Sequence, residues 1–505
     1  MILNIFFNNI NINNKVFIIL LIIIVYKSKN KDLENPTNIP EFSYINQKKI
    51  KLLLPNNKCL PSLFFQVKNQ TYNIPNNFEI KEVNLKDKNY FLSYYLCDPV
   101  YRQYQNLLQE HGFTRSIYYH GEHNLFLCPI NENLFNKTEF PHFQINKYQK
   151  VFCFIKSRFL FQKNTLYKYY FSKKNLFPED FNFMPETYIY PEDDNIIRKK
   201  FSNYSLNITD LWLVKPSDLY CGKKIEILKS LKNISLESYV ITKYITKVNL
   251  IRGRKYDLRL FVLVTDLKPL RIYFYEEGFV RIATEIFSLN TTSINNKFVH
   301  LTNSGVNDKN EKFVKPNYYN DSKANTWSIS MYSDFLKSFN VEWQSIRQKI
   351  KDIIIKSIIC LYQELYKENE LKKVNSQSFY DLLGYDILID DKFSPNLLEI
   401  NKNPTMGIGN VIENKIKKKL FTDTLNLVGI TPYSRKTKKF YHIKDIDDYD
   451  DIDNNINNAL CELEKPRGNY ELIFPLKDNI HIYKKYFNII SEDNQKFWDK
   501  VLKSF

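Results

Sequence analysis

Two periodicities divide this chain. From 211 to 290 apolar residues alternate with polar ones or run in short blocks, WLVK, YVITKYI, KYDLRLFVLVT and LRIYFYEEGFVRIA, which predicts a series of strands. Residues 341–367 carry a helical period, with Ile346, Ile350, Ile353, Ile354, Ser357, Ile358 and Leu361 down one side. Two strands follow, GYDILID and NLLEIN, joined by a tight turn at Asp390-Asp391, and then a helix over about 411–427. Upstream, aromatic strands between 85 and 145 mix with a helix at 99–111 ended by Gly112. A helical stretch around 163–174 leads through Phe183-Met184-Pro185-Glu186-Thr187 to an extended piece.

Two of these strands carry charge at every second position. Lys255, Asp257 and Arg259 project from one face with Tyr256 and Leu258 behind them, and Glu399 and Asn401 do the same with Leu398 and Ile400 behind. Strands this apolar on one side rarely carry charge on the other without a ligand, a metal or a charged partner to meet it. The pair reads as two walls of a nucleotide and metal site.

At 505 residues the chain can bury a large core in two or three subdomains. Residues 1–31 form an N-terminal apolar segment, 32–84 read as a linker, 85–432 as the main folded part (divided near 200), 433–458 as a charged linker and 459–505 as a tail. The net charge of +17 suits an acidic partner, although lysine enrichment of the whole composition reads equally well. Seven cysteines, widely spaced and without a C-x-x-C pair, argue against a disulfide framework and a cysteine zinc site, and favour a reducing compartment. The run VFIILLIIIVY at 16–26, followed by Lys27, Lys29 and Lys31, reads as a signal, a weak anchor or a dispensable start; if inserted, it would leave the remainder cytosolic.

Other candidates are weaker singly. Lys215 ends a strand before a loop with Cys221-Gly222-Lys223-Lys224, a plausible phosphate clamp, though neither G-x-x-x-x-G-K-[ST] nor G-x-G-x-x-G is present. Arg281 leaves a hairpin and is either an anion ligand or a surface arginine. His300-Leu301-Thr302-Asn303 is a polar cluster or a simple turn. Asp386, Glu399 and Asn401 offer the hard oxygen atoms magnesium prefers, with nucleotide phosphates to complete the shell. The aspartate run from Asp445 to Asp453 lacks EF-hand spacing and reads as solvated. No nucleophile–base arrangement is present, so the chemistry would rest on positioning and electrostatics around a phosphoryl group.

In this order the segments resemble the tubulin–tyrosine ligase-like family, most closely its polyglutamylase members, from about Tyr90 to Pro432, with Glu462 to Phe474-Pro475 similar to the family's C-terminal signature. The resemblance implies an α+β chain with an ATP-grasp fold, an N-terminal α/β subdomain and a C-terminal helical extension. It places the ATP site on Lys215, Gly222, the hinge Thr242-Lys243-Tyr244-Ile245, Lys255, Asp257, Thr302 and Asn303, with Arg259 near the phosphates. Asp386, Glu399 and Asn401 match its magnesium ligands, two ions being implied, and Arg281, Lys323 and Lys417 fall where polyglutamylases hold the incoming glutamate.

The implied reaction joins free L-glutamate to glutamates of acidic tubulin C-terminal tails through an acylphosphate, with Arg281 and Arg259 as catalytic groups. The implied setting is cytoplasmic and microtubule-associated, as at an axoneme or basal body, with no nucleic acid partner and membrane contact only through residues 16–26. Three positions depart from the pattern: Ser304 stands for a tyrosine, Thr242 for a glutamine, and the loop keeps one glycine beside Lys223 and Lys224. They keep open a tubulin glycylase, a glutamylase of another acidic protein, or a microtubule-binding protein without catalysis.

Overall fold

One long strand, laid down by the alternating run at 254–267, organises the molecule. The computed structural model describes residues 49–504 apart from 57–58, 68–69, 85–91, 97–103, 117–122, 128–148, 156, 158–160, 203, 205–209, 218–223, 232–236, 291, 372–375, 435–438 and 441–451. The apolar run at 16–26, Gly222 and the aspartates at 445–451 lie outside the described residues. Among the described residues no helix is long and apolar enough to cross a membrane. The chain divides after Asn46, and all described residues belong to the unit Gln47–Phe505.

Its first sheet comprises β1 (Lys49–Pro55), β2 (Ser62–Leu63) and β3 (Phe78–Asn84), with β1 central. From Lys49 onward this replaces the linker expected over 32–84, whose earlier residues lie outside those described. Leu53, Phe64 and Phe78 are buried together there, an apolar set that the intervening prolines and asparagines obscure. A parallel group follows, β4 (Leu92–Leu96), β5 (Phe113–Ser116), β6 (Leu125–Leu127) and β7 (Lys150–Phe152), with α1 (Gln105–Glu110) before β5 and α2 (Lys163–Leu176) after β7.

A second layer is the antiparallel sheet of β8 (Thr187–Tyr190), β9 (Trp212–Pro216), β10 (Glu226–Ile227) and β11 (Tyr239–Lys243). It packs Trp212, Val214, Tyr239 and Ile241 onto Ile197 and Phe201 of α3 (Asp194–Phe201). Because strand faces alternate, Lys215 and Thr242 turn to the other side.

The largest sheet continues β7 into antiparallel strands: β12 (Leu250–Ile251), β13 (Arg254–Leu267), β14 (Leu270–Tyr275), β15 (Phe279–Ile282), β16 (Thr326–Ser328), β17 (Phe379–Ile389), β18 (Pro395–Lys402) and β19 (Tyr470–Phe474). β13 pairs with β17 along one edge and with β15 and β14 along the other. Helix α4 (Lys297–His300) precedes β16, and α5 (Trp343–Leu371), α6 (Val411–Val428), α7 (Ile452–Glu464) and α8 (Glu492–Ser504) complete the α+β chain. The charged linker expected at 433–458 is therefore shorter, since α7 begins within it; its polar register hides Ile456 and Ala459, both fully buried.

The expectation against disulfide bonding is corrected. Cys59 and Cys461 form a disulfide across 402 residues of sequence, joining the β1–β2 connection to α7. Spacing along the chain cannot see such a pair. The same seam is hydrogen-bonded: Asn426 of α6 accepts from Phe65 N at 2.8 Å and donates to Phe65 O at 2.9 Å, and Leu63 N donates to Ile430 O at 2.8 Å.

The C-terminal tail is held by a buried acid. Glu462 accepts from Arg271 Nε at 2.8 Å and Nη2 at 3.0 Å, from Thr265 at 2.6 Å and from Tyr273 at 2.9 Å. Replacing one partner of such a pair strands the other in a dry interior. Glu462→Leu should therefore lower unfolding stability by about 3–5 kcal/mol in a denaturant titration; a loss below about 1 kcal/mol would show that the tail is anchored elsewhere.

Candidate active site

The site grows from the register of four strands. Arg259 on β13 lies opposite Asp386 on β17, and Asp386 in turn lies opposite Glu399 on β18. Asp257 on β13 lies opposite Arg281 on β15. Period-two alternation puts all five on one face, with Tyr256, Leu258 and Tyr385 fully buried on the other.

Asp386 is the point where the charges meet. Arg259 reaches it with two bonds, Nε at 2.6 Å from Oδ1 and Nη2 at 3.1 Å from Oδ2, while Arg281 Nη2 stands 2.9 Å from Oδ2. Arg281 also grips Asp257 with Nε at 2.7 Å and Nη2 at 2.5 Å. Burial would raise the titration constant (pKa) of Asp386, but the two guanidinium groups outweigh it and hold this carboxyl well below the usual range. Burial likewise opposes the charge on Arg281, and Asp257 and Asp386 more than restore it.

Glu399 behaves in the opposite way. Its carboxyl is pushed up by burial and then by the negative charge of Asp386, with Lys163 and Asn401 pulling the other way. Asn401 Nδ2 bridges the two acids, 3.2 Å from Asp386 and 3.1 Å from Glu399. Space for the guanidinium of Arg259 comes from Gly384: a Cβ there would lie 2.9 Å from Pro404 Cβ and 3.2 Å from Arg259 Cδ.

A narrow cleft of about 80 Å³ gathers most of the predicted nucleotide residues: Lys215, Thr242 to Ile245, Lys255, Asp257, Thr302 and Asn303, together with Asp386 and Glu399. Leu213, Ile225, His300 and Leu301 form a wall that it shares with a neighbouring cavity of about 620 Å³ lined by Lys224, Lys229 and Lys297. Lys215 and Lys255 are buried lysines whose constants fall because of that burial, Lys255 to about 7 with Lys215 adding to the fall and Asp257 opposing it. In the hinge, the amides of Lys243 and Tyr244 are already used, donating to Glu186 O and Leu211 O at 2.8 Å each.

Among the three residues matched to the amino acid, Arg281 is enclosed as described. Lys417 on α6 is buried, donating to Gly407 O at 2.5 Å and Glu413 at 3.1 Å, and its constant is lowered by burial, with Glu413 opposing and Arg259 adding. Lys323 is exposed on the turn before β16, and no side-chain contact among the described residues links it to the other two.

Lys163 is a residue that sequence reasoning missed. It is the first residue of α2, whose first turn contains no acid, and its ammonium lies 3.8 Å from Glu399. A cation at a helix N-terminus opposes the macrodipole. That conflict was the available signal that something anionic lies beyond the helix end.

Among the described residues no group of three His, Cys, Asp or Glu side chains is arranged to hold a metal. The candidate donors are two carboxylates on facing strands and an amide, a hard-oxygen set that fits magnesium once phosphates supply the remaining ligands.

Comparison with known proteins identifies the family. The profile of the tubulin-tyrosine ligase family matches residues 140–439. The mouse tubulin monoglutamylase TTLL4 is 31% identical over 289 residues, covering 56% of this chain and 24% of the relative. The mouse tubulin polyglutamylase TTLL5 is 29% identical over 364 residues, 70% of this chain and 27% of the relative. The tubulin polyglutamylase ttll-4 of Caenorhabditis briggsae is 27% identical over 384 residues, 69% of this chain and 62% of the relative. The chain thus spans about a quarter of the length of the two mouse proteins.

Removing the shared guanidinium should leave Asp257 without that partner and Asp386 with Arg259 alone. Arg281→Ala is expected to destabilise the protein by about 3–5 kcal/mol without divalent ion. Magnesium with a non-hydrolysable ATP analogue should then raise the melting temperature more in the variant than in the parent. An equal rise in both would contradict the shared-carboxylate picture.

Proposed function

The chain belongs to the tubulin–tyrosine ligase family, and on that premise we propose that it is an ATP-dependent ligase joining glutamate to glutamate side chains of acidic tubulin tails. The observation that carries this reading is the convergence of Lys215, Lys255, Asp257, Asp386 and Glu399 on one cleft beside the hinge. In this reading the two antiparallel sheets beside that cleft form an ATP-grasp fold, with the parallel β4–β7 group as its N-terminal α/β subdomain and the mainly helical tail as its extension.

In this reading adenine lies along the hinge, where the Ile245 amide makes no hydrogen bond among the described residues. Lys215 and Lys255 meet the phosphates, Asp257 the ribose hydroxyls, and Thr302 and Asn303 close the side; Gly222 belongs to the adjoining loop. Asp386, Glu399 and Asn401 would hold magnesium, which would supply charge neutralisation for the nucleotide phosphates.

The acceptor carboxylate attacks the γ-phosphorus of ATP, the bond to ADP breaks, and an acylphosphate forms. The amine of free glutamate then attacks the acyl carbon; phosphate leaves with one oxygen of the original carboxylate, and the amine gives up a proton. In this reading Arg259 would offset negative charge on the transferring group. Arg281 and Lys417, with Lys323 at the rim, would receive the two carboxylates of the incoming glutamate. Both buried cations are held by acids of the protein itself, so substrate carboxylates must compete with Asp257 and Glu413 for them. Acidic tails suit a chain of net charge +17, and a cytoplasmic, microtubule-associated setting follows from that substrate.

The test is incorporation of labelled glutamate, glycine or tyrosine into tubulin with ATP and magnesium. Glutamate should be incorporated, and Glu399→Gln should reduce the rate about a hundred-fold or more. Incorporation of glycine alone would make the protein a glycylase, and tubulin binding without any incorporation would make it a binding protein.

A further inference from the structure

Along the wall of the cleft, which Lys255, Tyr244 and His300 all help to line, a chain of four groups runs from the lysine to a backbone carbonyl. Lys255 Nζ lies 3.1 Å from the hydroxyl of Tyr244 and 4.3 Å from the centre of its ring. That hydroxyl lies 2.9 Å from Nδ1 of His300, whose Nε2 lies 3.1 Å from the carbonyl oxygen of Ser293. Lys255, Tyr244 and His300 are all buried.

The direction of the chain follows from its last member. A carbonyl oxygen only accepts, so Nε2 of His300 must carry the hydrogen, and in the neutral ring Nδ1 is then an acceptor. Tyr244 therefore donates to His300, and its oxygen lone pairs are left for Lys255. An ammonium has three hydrogens and no lone pair. One is spent on Tyr244, and because Lys255 lines the cleft the others are left for a ligand there. Donation by the phenol to an imidazole also makes its oxygen a stronger acceptor, because successive hydrogen bonds polarise one another.

We propose that His300 is a positioning residue for nucleotide binding: acting only through Tyr244, it holds the Lys255 ammonium charged and aimed at the phosphates. This rests on the assignment of the cleft to ATP. Neutrality of His300 is maintained by burial and then by the charge of Lys255, which together bring its constant down to about 4, the Ser293 carbonyl opposing them. Lys255 faces Asp257 and Lys215 as well as Tyr244, and burial brings its own constant to about 7, near working pH. A small change in the acceptor behind it thus alters the fraction that is charged.

The experiment is calorimetric titration of the whole protein with a non-hydrolysable ATP analogue and magnesium. Tyr244→Phe, which removes one oxygen, and His300→Leu should each weaken binding roughly ten-fold. The double variant should be no weaker than Tyr244→Phe alone, and His300→Gln, with an acceptor and a donor on one amide, should recover most of the loss. Affinity of the parent should fall as pH rises through about 7, where Lys255 loses its proton, and that fall should begin at lower pH in His300→Leu. Multiplied losses in the double variant, or an unmoved pH limb, would overturn the proposal. Failure of the parent protein to bind the analogue would instead overturn the ATP reading itself.

Discussion

A buried carboxylate must find a cation, and Asp386 finds two. Arg259 and Arg281 both reach it, and Arg281 holds Asp257 as well. Taking such charges out of water costs several kcal/mol apiece unless the partners are well placed. Placement here is set by backbone register: β13 lies between β15 and β17, and β18 borders β17, so the charged positions lie side by side across the sheet. A slip of one residue in any of these strands would turn its charges into the apolar core. The bulge between Asp386 and Ile387 falls at the site itself, where Asp386 is still opposite Glu399.

The same constraint explains the asymmetry of the two acids. Asp386 is over-supplied with positive charge and stays ionised, whereas Glu399, beside it, is pushed towards its neutral form. A divalent ion between them would remove that imbalance and compete with Arg281 for Asp386. Lys163 supplies a partial substitute from α2, at 3.8 Å from Glu399, although its place at a helix N-terminus is electrostatically poor. On the proposed assignment the metal, nucleotide and amino acid sites would not be separate compartments. They would share Asp386 and Arg281, so occupancy of one would change the charge available to the next.

Much of this was legible in the residues themselves. Lys255, Asp257 and Arg259 share a face because strand period is two, and that rule needs no knowledge of the fold. Glu399 and Asn401 were legible for the same reason. Partners were not. Nothing in the chain says that Arg281 would meet both Asp257 and Asp386, because this depends on which strands become neighbours. Lys163 was hidden since its meaning depends on where α2 begins relative to β18. Cys59 and Cys461 were hidden by their separation, and β1 to β3 by prolines and asparagines that interrupt their apolar residues. The grouping of Lys323 with Arg281 and Lys417 came from resemblance alone, and the described contacts do not join them.

The central claim is that this cluster serves activation of a carboxylate by ATP. The most direct measurement follows the oxygen atoms. An acidic acceptor peptide with oxygen-18 in its side-chain carboxylates is incubated with the protein, ATP, magnesium and glutamate, and the released phosphate is read by phosphorus NMR. Passage through an acylphosphate transfers one labelled oxygen to each phosphate released with product. Phosphate free of label, formed in step with product, would contradict the account.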